Sequence, residues 1–128
     1  MWPFGRTGSI GRRGERLAAG HLRRLGCRIL GRNYRCPAGE ADLIVLDRST
    51  RPETLAFVEV KTRRSGETVS PEYAVDRRKQ AQIVRVARYY LSTRAAEEYA
   101  VRFDVVAITW PDRGRPEIRH IPDAFRPE

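Results

Sequence analysis

The stretch Leu55-Ala56-Phe57-Val58-Glu59-Val60-Lys61 decides the architecture, because it is an apolar run that ends in charge. It is short, partly β-branched and apolar at both parities, which reads as a strand inside a sheet covered on both faces. Side chains alternate along a strand, so Leu55, Phe57, Glu59 and Lys61 share one face and Ala56, Val58 and Val60 the other. A second run, Ala41–Leu46, has the same character, and residues 47–53 between them read as a hairpin-type connection. Alternation there places Glu40 and Asp42 with Ile44 and Leu46. Antiparallel pairing of the two strands then brings Asp42 near Glu59 across the ladder. A carboxylate and an ammonium thus project from the end of a buried strand, where a fold tolerates them only with a partner.

Outward from these strands, residues 11–25 read as a helix, with Leu17, Ala18, His21, Leu22 and Leu25 at helical spacing and Gly26 as the stop. Residues 27–34 read as a strand, and Pro37-Ala38-Gly39 as a turn. A long helix is expected from Pro71 to about Thr93, with Val75, Ile83, Val84, Ala87, Tyr90 and Leu91 as its apolar stripe and Pro71 in its first turn. Strands Val101–Trp110 and Glu117–Ile121 follow. The order αβββαβ(β) predicts an α/β layer domain, a mixed central sheet flanked by helices. Residues 1–10 read as a flexible N-terminal arm, 11–121 as a single domain and 122–128 as a C-terminal tail.

The chain has 128 residues, 41% of them hydrophobic, and a formal net charge of +9. That excess suggests a polyanionic partner, nucleic acid first and an anionic membrane second. No apolar run approaches a membrane span. The opening Met1-Trp2-Pro3-Phe4-Gly5-Arg6 lacks a secretory signal's apolar stretch, so the expected compartment is the cytoplasm. Cys27 and Cys36 build no disulfide framework; with His21 and His120 they lack zinc-site spacing and read as ordinary thiols. Of 25 basic residues only Lys61 and Lys79 are lysine, which singles both out for inspection.

Two carboxylates as close as Asp42 and Glu59 repel unless a cation or proton lies between them. Oxygen ligands with retained waters suit Mg²⁺ or Mn²⁺. A lysine beside such a cation can position a water and offset charge developing on a phosphate. The set Asp42, Glu59 and Lys61 therefore has one mechanical reading, metal-assisted phosphodiester hydrolysis. It has another in a plain Glu59–Lys61 ion pair. From Glu15, the positions of Ala18, Ala19, Leu22 and Leu25 lie on the same inward face, so this acid either reaches the same cation or serves the helix dipole. Gln80 and Lys79 tilt toward the apolar side of the second helix. Arg78, Gln82, Arg85 and Tyr89 form a stripe along it that can track a phosphate backbone. Arg63 and Arg64 follow the site strand, and Arg12, Arg13 and Arg16 crowd the first helix near Glu15. Such contacts give affinity without sequence readout. Asp104 and Arg102 share a strand face and read as a structural pair.

Gly14-Glu15-Arg16-Leu17-Ala18, Arg32-Asn33-Tyr34-Arg35, Gly39-Glu40-Ala41-Asp42-Leu43-Ile44, Phe57-Val58-Glu59-Val60-Lys61-Thr62-Arg63 and Arg102-Phe103-Asp104-Val105-Val106 together resemble the YraN-like family of small bacterial proteins. That family is grouped with the restriction-endonuclease-like nucleases, the PD-(D/E)XK superfamily, which also contains archaeal Holliday-junction resolvases. The resemblance covers residues 11–109, with Ala41 in place of the proline of the motif's name. It implies a restriction-endonuclease-like αβββαβ core. It implies Asp42 and Glu59 as metal-binding acids, Lys61 as the catalytic lysine and Glu15 as the helix-one acid. It also implies that Lys79 or Gln80 points into the site. The expected function is then a Mg²⁺- or Mn²⁺-dependent endonuclease acting on DNA ahead of RNA, on branched or flapped structures, as a homodimer and with no membrane partner. The alternative is a non-catalytic nucleic-acid-binding module that keeps the nuclease fold.

Overall fold

The computed structural model describes residues 9–66 and 75–127. Helix α1 (Ser9–Arg24) leads into strands β1 (Cys27–Cys36), β2 (Gly39–Asp47) and β3 (Thr54–Arg64). Helix α2 (Arg77–Thr93), β4 (Ala100–Trp110) and β5 (Glu117–Ile121) complete the chain. The sheet order is β1-β2-β3-β4-β5. All pairs are antiparallel except β3 with β4, and a parallel pair requires a crossover, which α2 lies within. This α/β architecture, with a five-stranded mixed sheet and two helices among the described residues, is consistent with a restriction-endonuclease-like core.

The strands expected from the two apolar runs are central, and each sheet face is covered. On one face Ala18, Ala19 and Leu22 of α1 pack on Leu43, Val45, Ala56, Val58 and Val106. On the other, Ile83, Val86, Ala87 and Tyr90 of α2 pack on Ile44, Leu55, Phe57 and Phe103. Leu25, expected on the inward face of α1, falls past its end and is exposed. The second helix begins later than expected. Asp76 is its N-cap, accepting the Lys79 N–H at 2.9 Å, and Val75 is buried ahead of it. Pro71, read as a first-turn residue, lies outside the described residues, as does most of the expected N-terminal arm. In the chain's last segment, Ala124 N–H donates to the Phe103 carbonyl at 2.7 Å and Phe125 stacks on the Phe103 ring at 5.2 Å. No helix among the described residues is long and apolar enough to cross a membrane.

The strict alternation assumed for β2 fails at one residue. Tyr34 and Ala41 are register partners, and both pack on the α2 side, yet Leu43 packs on the α1 side. The parity therefore flips at Asp42. The register makes Asn33 its counterpart on β1, and Asn33 holds a positive φ of 49°, a conformation asparagine tolerates better than most residues. Paired irregularities of this kind turn both strands at once and re-aim a side chain. Asp42 thus does not simply share a face with Ile44 and Leu46.

Gly14 governs how α1 seats. A Cβ there would collide with Thr62 Cγ2 of β3, so the bare backbone lets the helix approach the strand. Gly14→Ala is expected to destabilise the protein by about 1–3 kcal/mol through overpacking, although the same change in an open helix would stabilise it. Thr62→Ala should remove the collision, leaving Gly14→Ala/Thr62→Ala at least as stable as Thr62→Ala. Urea unfolding of the four-member cycle measures this coupling. Independent, additive losses would mean that the close approach does not govern stability there.

Candidate active site

β3 is paired with β4 along its whole length, from Thr54↔Ala100 to Arg64↔Trp110. Its ladder with β2 ends sooner, at Leu43↔Val58. Beyond Val58 the two strands part, and the candidate site sits in that parting. Asp42 bridges it. Its Oδ2 accepts the Val60 N–H at 2.7 Å, standing in for a ladder carbonyl. The expected cross-ladder pairing of Asp42 with Glu59 is absent from the register, which ends at Leu43↔Val58; Asp42 instead binds the main chain of the residue after Glu59. Both carboxylates are 1% exposed.

Glu59 points to the α2 side, continuing the face of Leu55 and Phe57. Lys79 Nζ of α2 stands 3.8 Å from Glu59 Oε2 and donates to Gln82 Oε1 at 3.3 Å. Lys61 is half-buried and shares the Glu59 face, since Thr62 between Lys61 and Arg63 turns the other way, toward Gly14. Two strands and one helix therefore direct two carboxylates and two ammonium groups to the same end of the sheet. Lysine suits this position because its compact charge approaches a small anion where a planar guanidinium would not.

Of the two α2 residues singled out by sequence, Lys79 reaches the site. Gln80 is engaged elsewhere, donating through Nε2 to the Val75 carbonyl at 2.6 Å, which ties down the chain ahead of the helix. Gln82, read from sequence only as part of a surface stripe, is instead an inward residue. Its side chain lies against Gly39, where a Cβ would come within 2.8 Å of it, and Gly39 has φ +142°. The Gly39-Glu40-Ala41-Asp42 segment and α2 thus meet without an intervening side chain. The sequence signal was present, since Gln82 lies three residues after Lys79, but it cannot be separated from a solvated face by spacing alone.

Glu15 is half-buried on α1, which covers the opposite sheet face and meets β3 at Thr62. Among the described residues no group of three or more His, Cys, Asp or Glu side chains is placed to hold a metal ion. Asp42 and Glu59 are the two buried carboxylates where β2 and β3 part. Two hard carboxylate oxygens in a nearly dry site fit Mg²⁺ or Mn²⁺, which complete their shells with water. Arg63 Nε donates to Thr109 Oγ1 at 3.3 Å, and Arg13 lies over the Trp110 ring at 4.4 Å. Both guanidiniums are thereby held where β3 and β4 end. Arg12, Arg64, Arg78 and Arg85 are exposed.

The Arg102–Asp104 pair is structural, as read from sequence, and larger than expected. Asp104 is fully buried and accepts from Arg102 Nε and Nη2 at 2.8 and 2.9 Å, from His120 Nε2 at 2.9 Å and from Asp123 N–H at 3.0 Å. Arg102 also pairs with Asp47 at 2.9 Å. Burial pushes the nearby Cys27 thiol up to about 11, which makes it an unreactive one.

The description "Uncharacterised protein family UPF0102" belongs to a family model that matches residues 14–108. A UPF0102 protein of Syntrophotalea carbinolica is 46% identical over 118 residues, covering 91% of each chain. One from Geobacter sulfurreducens is 45% identical over 116 residues, covering 91% of this chain and 88% of that one. Among solved structures, SfsA of Pyrococcus furiosus in complex with Ca²⁺ is 18% identical, with a TM-score of 0.40 over 88% of this chain and 64% of that one.

Proposed function

The chain belongs to the UPF0102 family, and on that premise we propose that it is a divalent-metal-dependent endonuclease of the PD-(D/E)XK type. It would hydrolyse DNA phosphodiester bonds, with branched and flapped structures as the substrate class. One observation carries the reading: the buried Asp42 carboxylate is fixed by the Val60 N–H at 2.7 Å, beside buried Glu59, with Lys61 on the same strand face. Burying two like charges this close is costly, and the arrangement makes chemical sense as a receptor for a small hard cation.

Asp42 and Glu59, with the Val60 carbonyl, would hold Mg²⁺ or Mn²⁺, and Glu15 would complete the shell through water. Bound there, the cation supplies Lewis-acid stabilisation of a phosphoryl oxygen. Lys61 orients the attacking water and offsets the charge that develops on the phosphate during in-line displacement. Lys79, steadied by Gln82, holds Glu59 in place. Arg63, Arg64, Arg12 and Arg13 grip the backbone on either side of the cut, and Arg78 and Arg85 extend the grip along α2 without base readout.

A second reading rests on the Lys79–Glu59 approach of 3.8 Å. This pair can balance Glu59 without a metal, leaving a nucleic-acid-binding module with a nuclease fold. Calorimetry separates the two. Mn²⁺ titrated into the wild-type protein should show a binding isotherm that Asp42→Asn removes. The same preparation should nick linear, flapped, four-way or single-stranded DNA only with Mn²⁺ or Mg²⁺. DNA binding with neither metal uptake nor nicking would establish the second reading.

A further inference from the structure

Turned away from the sheet, α2 carries Arg77, Ala81, Val84, Arg85 and Arg88 along one stripe, and with the chain's last described residues it borders a groove of about 340 Å³. Arg126 closes the groove from the other side. The floor is apolar, from Ala81 and Val84, and among the described residues no carboxylate lines it. Of the acids close to it in sequence, Asp76 caps α2 by accepting the Lys79 N–H at 2.9 Å, and Asp123 is engaged with Arg126 at 2.6 Å. Four guanidiniums thus face a channel with short apolar side chains at its base. Arg85 and Arg88 are like charges at a helical spacing that brings them together, which destabilises the helix unless an anion intervenes.

From these residues we infer that the groove is a track for the phosphodiester backbone of nucleic acid, engaged beyond the point of cleavage. It departs from the stripe expected from sequence, since Gln82 turns inward and Arg77, Arg88 and Arg126 take part. The charge has the right sign, and guanidinium forks match phosphate oxygens two at a time. Length agrees as well: Arg77 to Arg88 spans about 16 Å of helix, comparable to about five base-pair steps of a duplex. Among the described residues no aromatic ring lines the groove, so it offers backbone contacts and no stacking platform. Lys79, in the same first turn as Arg77 and Gln80, faces Glu59 on the sheet side of α2, so the track and the candidate active site lie on opposite sides of the helix. The inference rests on nucleic acid being the partner and is independent of whether cleavage occurs.

The test is binding of a fluorescent flapped duplex in EDTA across a salt series. It compares the wild-type protein, Arg85→Gln/Arg88→Gln and Arg23→Gln/Arg28→Gln. The last pair is exposed on α1 and β1 and removes the same charge. The groove variant should bind about tenfold more weakly and lower the salt slope by about two, one for each phosphate no longer neutralised. The control should change by less than about twofold. Equal weakening in both variants, or none in the groove variant, would overturn the track while leaving nucleic-acid binding intact. Failure of the wild-type protein to bind any nucleic acid would overturn both. Loss by the groove variant of binding to phosphatidylglycerol vesicles, with DNA binding unchanged, would reassign the groove to a membrane surface.

Discussion

Asp42→Asn is expected to lower Mn²⁺-dependent nicking by at least about 10³-fold while leaving the fold in place, since it removes a direct metal donor. Asparagine keeps the oxygen that accepts the Val60 N–H and deletes one of two buried neighbouring charges. Its melting temperature should therefore match or exceed the wild-type value, the pattern of a residue kept for function at the expense of stability. Asp42→Ala should lose cleavage equally, but also cost about 1–3 kcal/mol, because the buried Val60 N–H is left without its acceptor. Lys61→Ala should reduce nicking by about 10²–10³-fold with metal binding retained, as expected for a group that acts on transition-state charge. Residual nicking that is the same in wild type, Asp42→Asn and Lys61→Ala would trace the activity to a contaminant. An unfolded Asp42→Asn would make the residue structural.

The largest effect on stability is expected at Asp104. This carboxylate accepts four hydrogen bonds with no exposure to water, joining β4 to β5 through His120 and to the segment after β5 through the Asp123 N–H. Asp104→Asn presents an amide to donors and removes one of the two carboxylates that balance the half-buried Arg102 guanidinium. The cost should be about 3–5 kcal/mol, or a fall in melting temperature of about 10–20 °C for a chain of this size. Burial pushes the Asp104 carboxyl up, but the hydrogen bonds from His120, Arg102 and Asp123 together hold it below its ordinary 3.8. Asp47 follows the same logic: burial raises it, and Ser49 and Arg102 bring it below 3.8. A carboxyl depressed in the folded state adds stability above its unfolded value, and that stability is lost as pH falls through the folded value. Wild-type stability should therefore drop as pH descends below about 4, and the drop should be shallower in Asp104→Asn. Urea midpoints measured from pH 7 to pH 2 would show this, and parallel curves for the two proteins would contradict it.

Much of the architecture is visible in residue patterns because it depends on periods that persist over many residues. The runs at 41–46 and 55–60 are apolar at both parities, and the helices that cover both sheet faces explain why. The stripe Ile83, Ala87 and Tyr90 needs only a helical period to be seen. What the patterns hide are single-residue events. One left-handed residue, Asn33, opposite Asp42 reverses the parity of two strands, so alternation counted from Ile44 misplaces Asp42. The late start of α2 depends on Asp76 outcompeting Pro71 as the boundary. Both residue types favour a helix start, and local chemistry does not rank them. At the site, Asp42, Glu59 and Lys61 are conspicuous as charges in apolar strands. Gln82 was not, because its role arises only when Gly39, more than 40 residues earlier in the chain, lets the helix come close.

The outer rim of the sheet has a colloidal consequence. β1 is an edge strand and carries exposed Arg28, Arg32 and Arg35, with a register slip between Ile29 and Gly31. Two molecules meeting rim to rim would crowd these cations and misalign their hydrogen-bonding groups, which disfavours strand addition. Concentrated solutions should consequently resist fibril growth, and should do so least at high ionic strength, where the mutual repulsion of the rims is screened.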